Sequence, residues 1–273
     1  MLRSAMPREN AATLHAEAWA EIYERIDRQL APLGLAAIEA LAPQAGDQVL
    51  DVGCGAGQTL LQLAERVGAG GRVIGVDLAP LLLKIAAQRV RGLSQIALIE
   101  ADAQILDLPP AGLDAVYSRF GVMGFADPTA AFANFHRMLR PDGRLAFCCW
   151  RALEENELDR FPLEAAGLME EADPTPFSFA DPAQTRRTLE AAGFVEIAVS
   201  PHDAPVSCGD ISATLDVLLR VGALGKIVRE NPALRETVAP RLRDALSARG
   251  DPDRVHLGAA IWIVSAKASS VLF

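Results

Sequence analysis

Aromatic residues are scarce: 3 Trp, 2 Tyr and 10 Phe make up 5% of the 273 positions. Cysteine is scarcer still, and Cys54, Cys148, Cys149 and Cys208 form no CxxC pair. With no His/Cys run at ligand spacing, no metal site is expected. Cys148 and Cys149 are neighbours in an apolar run and should point to opposite faces of a strand, as reduced structural thiols. Lys and Arg never cluster, and the net charge is −9. That field repels phosphate backbones, so a nucleic-acid partner is not expected, while acidity this modest says little about a small substrate. No apolar run approaches the roughly 18 residues that span a bilayer. The first ten residues carry no signal-peptide apolar region, so a cytoplasmic location is expected. Internal repeats and low-complexity linkers are also missing. What remains, 51% hydrophobic and 22% charged residues, fits a folded globular chain and argues against disorder.

The pattern that is present is strand–helix alternation. Residues 11–30 read as an amphipathic helix with Leu14, Trp19, Ile22, Ile26 and Leu30 at helical spacing. Pro32 and Gly34 should end it, with a short second helix through Ala42. Apolar runs at 48–52, 72–76, 95–100, 113–118 and 144–150 predict five strands, with helices over 57–67, from Pro80 to about Arg91, and after Asp127-Pro128. Pro141-Asp142-Gly143 reads as a turn into the fifth strand. Residues 151–180 look irregular. Asp181-Pro182 caps a helix, Phe194–Ser200 is a strand, and 201–256 look helical, with starts at Asp210 and Asn231-Pro232 and stops at Gly222 and Gly250. A long apolar strand, 256–267, follows. The expected fold class is α/β: a doubly wound, mostly parallel sheet with an added helical cap. The division expected is N-terminal helices over 1–42 as a lid, half of the sheet core over 43–150, cap insertions at 151–182 and 201–255, and the rest of the core at 183–200 and 256–273.

One stretch concentrates the chemistry. In V49-L-D-V-G-C-G-A-G-Q58 an apolar strand runs into glycines at alternate positions. Gly53, Gly55 and Gly57 present no β-carbons, so backbone amides and a helix N-terminus can approach a polar ligand. Asp77, at the end of the second strand, is placed to accept from ribose hydroxyls. Asp102, after the third, lies within reach of an adenine amino group. A dinucleotide fold wants a glycine where Gln58 stands, and the acidic Asp51 would repel a pyrophosphate but not an amino acid's ammonium. Charge therefore favours an adenosine ligand without phosphate.

D51-V-G-C-G-A-G57 resembles motif I of the class I S-adenosylmethionine-dependent methyltransferases. The likeness continues through V76-D77, A101-D102-A103, D114-A-V-Y-S-R119 and L139-R-P-D-G-R-L-A-F147. L189-E-A-A-G-F194 and the terminal strand resemble the family's reversed hairpin, implying seven strands with the last antiparallel. The resemblance implies S-adenosyl-L-methionine as cofactor. It places Asp51, Gly53 and Gly55 around the methionine part, with Cys54 and Gly57 also at the cofactor, Asp77 on the ribose, Leu78 on adenine, and Asp102 with Ala103 at the adenine edge. Ser118 and Arg119 would lie beside the methionyl group. Within the family the chain looks most like the small-molecule, quinone-biosynthesis branch. The implied reaction is methyl transfer to an aromatic, quinone-like or natural-product acceptor. A nicotinamide-dependent oxidoreductase and a non-catalytic module binding the same ligand are the rivals.

Methyl transfer needs alignment more than a base, so no catalytic motif is required. His15 is a weak candidate base, ahead of His136, His202 and His256, and Tyr117 is expected in the core. Trp19, Tyr23 and Trp150 are candidates for lining an apolar substrate pocket. Arg119 is an alternative partner for an acidic substrate.

Overall fold

A computed structural model describes residues 8–270, with side chains from residue 13. Alternation sets the order of the first elements. Helix α1 (Arg8–Leu41) leads to β1 (Gln48–Val52), α2 (Gln58–Val67), β2 (Arg72–Asp77), α3 (Pro80–Arg89), β3 (Ile96–Glu100), β4 (Leu113–Arg119), α4 (Pro128–Met138) and β5 (Leu139–Trp150). Then come α5 (Glu157–Ala166), α6 (Pro182–Ala191), β6 (Phe194–Val206), α7 (Ile211–Leu218), α8 (Gly222–Glu230), α9 (Arg235–Ser247) and β7 (Leu257–Ala268). The seven strands form one sheet in the order β3-β2-β1-β4-β5-β7-β6. Strands β1 to β5 pair in parallel, whereas β7 runs antiparallel to β5, with Trp150 opposite Ile261. The reversal between β1 and β4 makes their carboxyl ends the switch point where such sheets bind ligands.

The chain divides into two compact units. The sheet unit takes Pro32–Ala152, Thr175–Asp203 and residues from Ala260 onward. Its core is aliphatic and phenylalanine-rich: Leu50, Val52, Val116, Phe132, Phe135, Phe147 and Val264 are almost fully buried. Phe132 makes an edge-to-face contact with Phe135 at 5.8 Å and with Phe179 at 6.0 Å. Asp127 and Asp181 cap α4 and α6 by accepting from Ala130 N and Ala183 N, each followed by a first-turn proline. All four cysteines are buried and unlinked.

The helical unit takes residues up to Ala31, Leu153–Pro174 and Ala204–Ala259. Here α5 packs on α8 and α9, and α7 packs on the same two helices. Val238, Leu242 and Leu246 bury one stripe of α9, with Pro240 inside the helix. Among the described residues no helix is long and apolar enough to cross a membrane.

Four expectations are corrected. Pro32 does not end the first helix, because Leu33, Ala37, Ile38 and Leu41 continue its buried face. The departure from helical geometry falls at Ile22 instead, with φ −132° and ψ 18°. The stretch expected to be irregular contains α5, where burial of Leu158, Leu163 and Ala166 outweighs the hydrogen bond lost at Pro162. Gly222 starts α8 and does not stop a helix; Asp159, 64 positions before Ala223, accepts from Ala223 N at 2.8 Å and supplies the cap. Strand β6 runs on to Val206, where a helix is expected.

Candidate functional site

The glycine loop leaves β1 with three left-handed residues, at φ 70° for Gly53, 52° for Gly55 and 86° for Gly57. Two of these positions show different needs. A β-carbon on Gly53 would stand 2.8 Å from the Gly121 Cα, so two backbones touch there. A β-carbon on Gly55 would meet nothing within 4 Å, so that position opens onto space a ligand can fill. Val76 O holds the loop by accepting from both Gly53 N, at 2.9 Å, and Cys54 N, at 3.1 Å.

Carboxylates surround this turn. Asp77 Oδ2 accepts from Gly55 N and Oδ1 from Ala79 N, each at 2.8 Å, so one side chain joins the loop to the start of α3. Burial raises the pKa of Asp77, and the backbone donors pull the other way. Each oxygen keeps a further acceptor direction for a hydroxyl. Asp51 is fully buried; Thr59 in α2 donates to its Oδ2 at 2.5 Å, while Oδ1 has no partner. Desolvation lifts its pKa to about 7, opposed by the Thr59 hydroxyl and the charge of Arg119. A buried carboxylate oxygen without a donor is costly unless something cationic or proton-bearing completes it.

The adjacent strand ends add apolar surface. Leu78, after β2, is 67% exposed, and Ile105, after β3, is 80% exposed. Large side chains left this open at one sheet edge offer faces for a flat ring. Asp102 accepts from Gln104 N at 2.9 Å and caps the turn that carries Ala103 and Ile105. The Gln104 amide also accepts from Ala126 N, at 2.8 Å, tying that turn to the segment before α4.

The β4 end is built differently from the reading of the sequence. Ser118 is buried and its hydroxyl is consumed: it donates to Val52 O at 2.8 Å and accepts from Gly121 N at 3.0 Å. Its side chain therefore joins two backbones. Cys54 is likewise buried with its thiol packed by Gly75, so only its backbone borders the loop. Arg119 donates to the Gln58 side-chain oxygen. The residue that breaks the dinucleotide pattern thus positions the guanidinium whose charge acts on Asp51. Trp150 is 9% exposed and stacks on Phe120 at 4.2 Å, so it belongs to the packing and offers little surface to a substrate. Phe120 itself has φ 62°, a strained backbone for a bulky residue. Tyr117 lies in the core as expected and donates to Gly34 O at 2.9 Å. His136 accepts from Ser269 N at 3.1 Å.

His15, Trp19 and Tyr23 belong to the helical unit. His15 lies 5.4 Å from Trp19, ring to ring, and 3.4 Å from an Arg229 nitrogen. Sequence reading missed Thr59, Gln104, Ile105 and Phe120. A threonine in the first turn of the helix, eight residues after Asp51, was the available signal for the first; the others depend on tertiary contacts.

Comparison with known proteins agrees with this geometry. A family model described as a methyltransferase domain matches residues 49–143. Aklanonic acid methyltransferase DauC from Streptomyces sp. strain C5 is 34% identical over 128 residues, which are 46% of this chain and 58% of that protein. The chain therefore spans little more than half the length of that relative. The 2-phytyl-1,4-naphthoquinone methyltransferase of Synechococcus elongatus is 32% identical over 164 residues, covering 54% of this chain and 70% of its own. The crystal structure of the YcgJ protein from Bacillus subtilis superposes with a TM-score of 0.58 over 87% of this chain and 97% of that one, at 17% identity, and shares the fold. Sheet order, glycine loop and relatives converge: the chain belongs to the class I S-adenosylmethionine-dependent methyltransferases.

Proposed function

We propose that the protein is a cytoplasmic enzyme that transfers a methyl group from S-adenosyl-L-methionine to a small aromatic, quinone-like or natural-product acceptor. When bound, S-adenosylmethionine supplies a sulfonium-activated methyl carbon, which bonds to the acceptor's nucleophile as the carbon–sulfur bond breaks. The observation that carries the reading is the unpartnered Oδ1 of buried Asp51 beside an open Gly55. That pairing fits a ligand with an ammonium group and no phosphate, and disfavours a dinucleotide. The residues present fit the rest of the molecule. Asp77 has acceptor directions left for ribose hydroxyls, and Leu78 and Ile105 offer apolar faces for adenine. Asp102 and the Ala103 backbone stand at the adenine edge, and Arg119, held by Gln58, is placed for a carboxylate.

The chain's own contribution is to orient and to exclude water. Gly53, Gly55 and Gly57 hold the turn open, their own amides bonded to Val76 O, Asp77 and Cys54 O, and the Ser118 bridge keeps the β4 loop against β1. Alignment of this kind is worth several kcal/mol. Support for a small acceptor comes from the relatives, named for a naphthoquinone and for aklanonic acid. The net charge of −9 supports an acceptor other than nucleic acid.

Calorimetric titration with S-adenosylhomocysteine and with NAD separates this reading from an oxidoreductase: the thioether is expected to bind and NAD is not. Incubation with methyl-labelled cofactor and a panel of phenols and hydroxynaphthoquinones then tests transfer. Binding without label in any product would leave only the non-catalytic alternative.

A further inference from the structure

Around α1 and α8 of the helical unit several charges are paired with their opposites. Arg25 bonds to Asp216 at 2.5 Å, and Arg220 holds both Asp216 and Glu21. Lys226 holds Glu230 and lies 3.6 Å from Asp173. Arg229 is different. Its guanidinium, half-buried near the end of α8, donates to the carbonyl of Arg220 and approaches Nδ1 of His15 at 3.4 Å. Among the described residues it has no carboxylate partner.

An Arg carries five N–H donors in a planar fork, and two neutral acceptors leave three of them. Its Nη1 and Nη2 carry these two bonds, and its Nε is not both buried and unpartnered. Burial pulls the pKa of Arg229 down, as expected for a cation whose neighbours are neutral, with only the charge of Glu230 opposing. His15, flanked by this cation, also has its pKa lowered, first by the surrounding chain and second by Arg229. It therefore stays neutral near pH 7 despite its exposed face, and with Nδ1 accepting it carries its proton on Nε2. Trp19 sits 5.4 Å away with its ring tilted 54°. His15 and Trp19 of α1 thus set a neutral donor and an aromatic plate beside the cation fork that α8 supplies.

We propose that Arg229, His15 and Trp19 form a binding site for the carboxylate of a small aromatic acid. The fork takes the carboxylate in a bidentate pair, the His15 Nε2–H donates to a neighbouring oxygen, and Trp19 packs on the ring. The competing account of Arg229 is a tie to the end of α8, where a cation favours the helix dipole. That account needs the bond to Arg220 O but neither His15 nor Trp19. His15 takes the role of a ligand-positioning residue here, and no general base is required of it. The binding site stands independently of the methyl-transfer reading.

The test uses the full chain and calorimetry with 1-hydroxy-2-naphthoate and its uncharged primary amide. The acid is expected to bind wild type at least tenfold more tightly than the amide. Arg229→Gln should abolish that preference, Arg229→Lys should keep only part of it because the fork is lost, and Trp19→Ala should weaken acid and amide together. Equal affinity for acid and amide in the wild-type protein, or an unchanged acid affinity in Arg229→Gln, would overturn the proposal and leave Arg229 as a helix tie. The same samples are titrated with S-adenosylhomocysteine. Arg229→Gln should bind it as wild type does, which also reports a folded chain. Failure of the wild type to bind the thioether would remove the methyl-transfer reading while leaving the acid site standing, so the two failures are distinct.

Discussion

Thr59 donates its hydroxyl to Oδ2 of Asp51 at 2.5 Å, and the other oxygen of that carboxylate lies buried without a partner. A helix thereby grips the acid of the strand before it, yet leaves half of the carboxylate unanswered. Burial lifts Asp51 from 3.8 to about 7. The folded chain keeps this proton over a range in which the unfolded chain has lost it. Its contribution to stability is therefore full below about pH 4 and is lost as pH rises toward 7, on the order of 4 kcal/mol in all. Urea unfolding of wild type and Asp51→Asn between pH 4.5 and 7.5 measures it. Asp77 and Asp159 shift in the same direction and cancel in the difference. Parallel curves for the two proteins would refute the assignment.

The same proton reports on the ligand. An ammonium group drawn to Asp51 would lower its pKa, so S-adenosylhomocysteine binding near pH 6.5 should release protons from the protein. Calorimetry in two buffers of different ionisation enthalpy reads the number released. The release should vanish in Asp51→Asn, and an identical heat in both buffers for wild type would exclude Asp51 as the ammonium's partner.

Two glycines two positions apart should fail in different ways. Gly53→Ala drives a β-carbon against the Gly121 backbone, and its φ of 70° adds strain, so the melting temperature should fall by many degrees. Gly55→Ala has room and should cost only about 1–2 kcal/mol of backbone strain. If the ligand fills the space at Gly55, the added methyl group should cut thioether binding at least tenfold. Thermal melts beside titrations distinguish the two.

Asp77 joins Gly55 N and Ala79 N, so Asp77→Ala removes two acceptors at once. Charge-assisted hydrogen bonds of this kind are worth roughly 1.5–3 kcal/mol each. Affinity for S-adenosylhomocysteine should fall tenfold to a hundredfold. A variant that is folded by circular dichroism and binds normally would count heavily against the ribose role.

Leu78 and Ile105 separate binding from folding. Both are largely exposed, at 67% and 80%, so replacing either by alanine should leave stability within about 0.5 kcal/mol. If they flank adenine, each change should weaken the thioether several-fold. Equal affinity in the double variant would remove adenine from this edge.

Strands β1 to β4 and helices α2 to α4 were legible to within one or two residues, because their apolar runs and Asp–Pro or glycine boundaries are local signals. The glycine loop, Asp51, Asp77 and Asp102 were legible for the same reason: a tight turn to a helix leaves a spacing that few other structures need. Helix α5 was not, since Pro162 masks a buried face that only packing on α8 and α9 reveals. The start of α8 was hidden too, because its cap, Asp159, is remote in the chain.

Sequence alone determined the alternating sheet, the positions of its strand ends and the row of glycines and aspartates along them, since short-range spacing and backbone sterics suffice for each. Tertiary structure alone decided which of those side chains are spent inside the protein. It turned the Ser118 hydroxyl onto two backbones, stacked Trp150 on Phe120, set Arg119 on Gln58 and left one oxygen of Asp51 unanswered. Hydrogen-bond partners and burial are properties of distant chain segments brought together, and no local pattern encodes them.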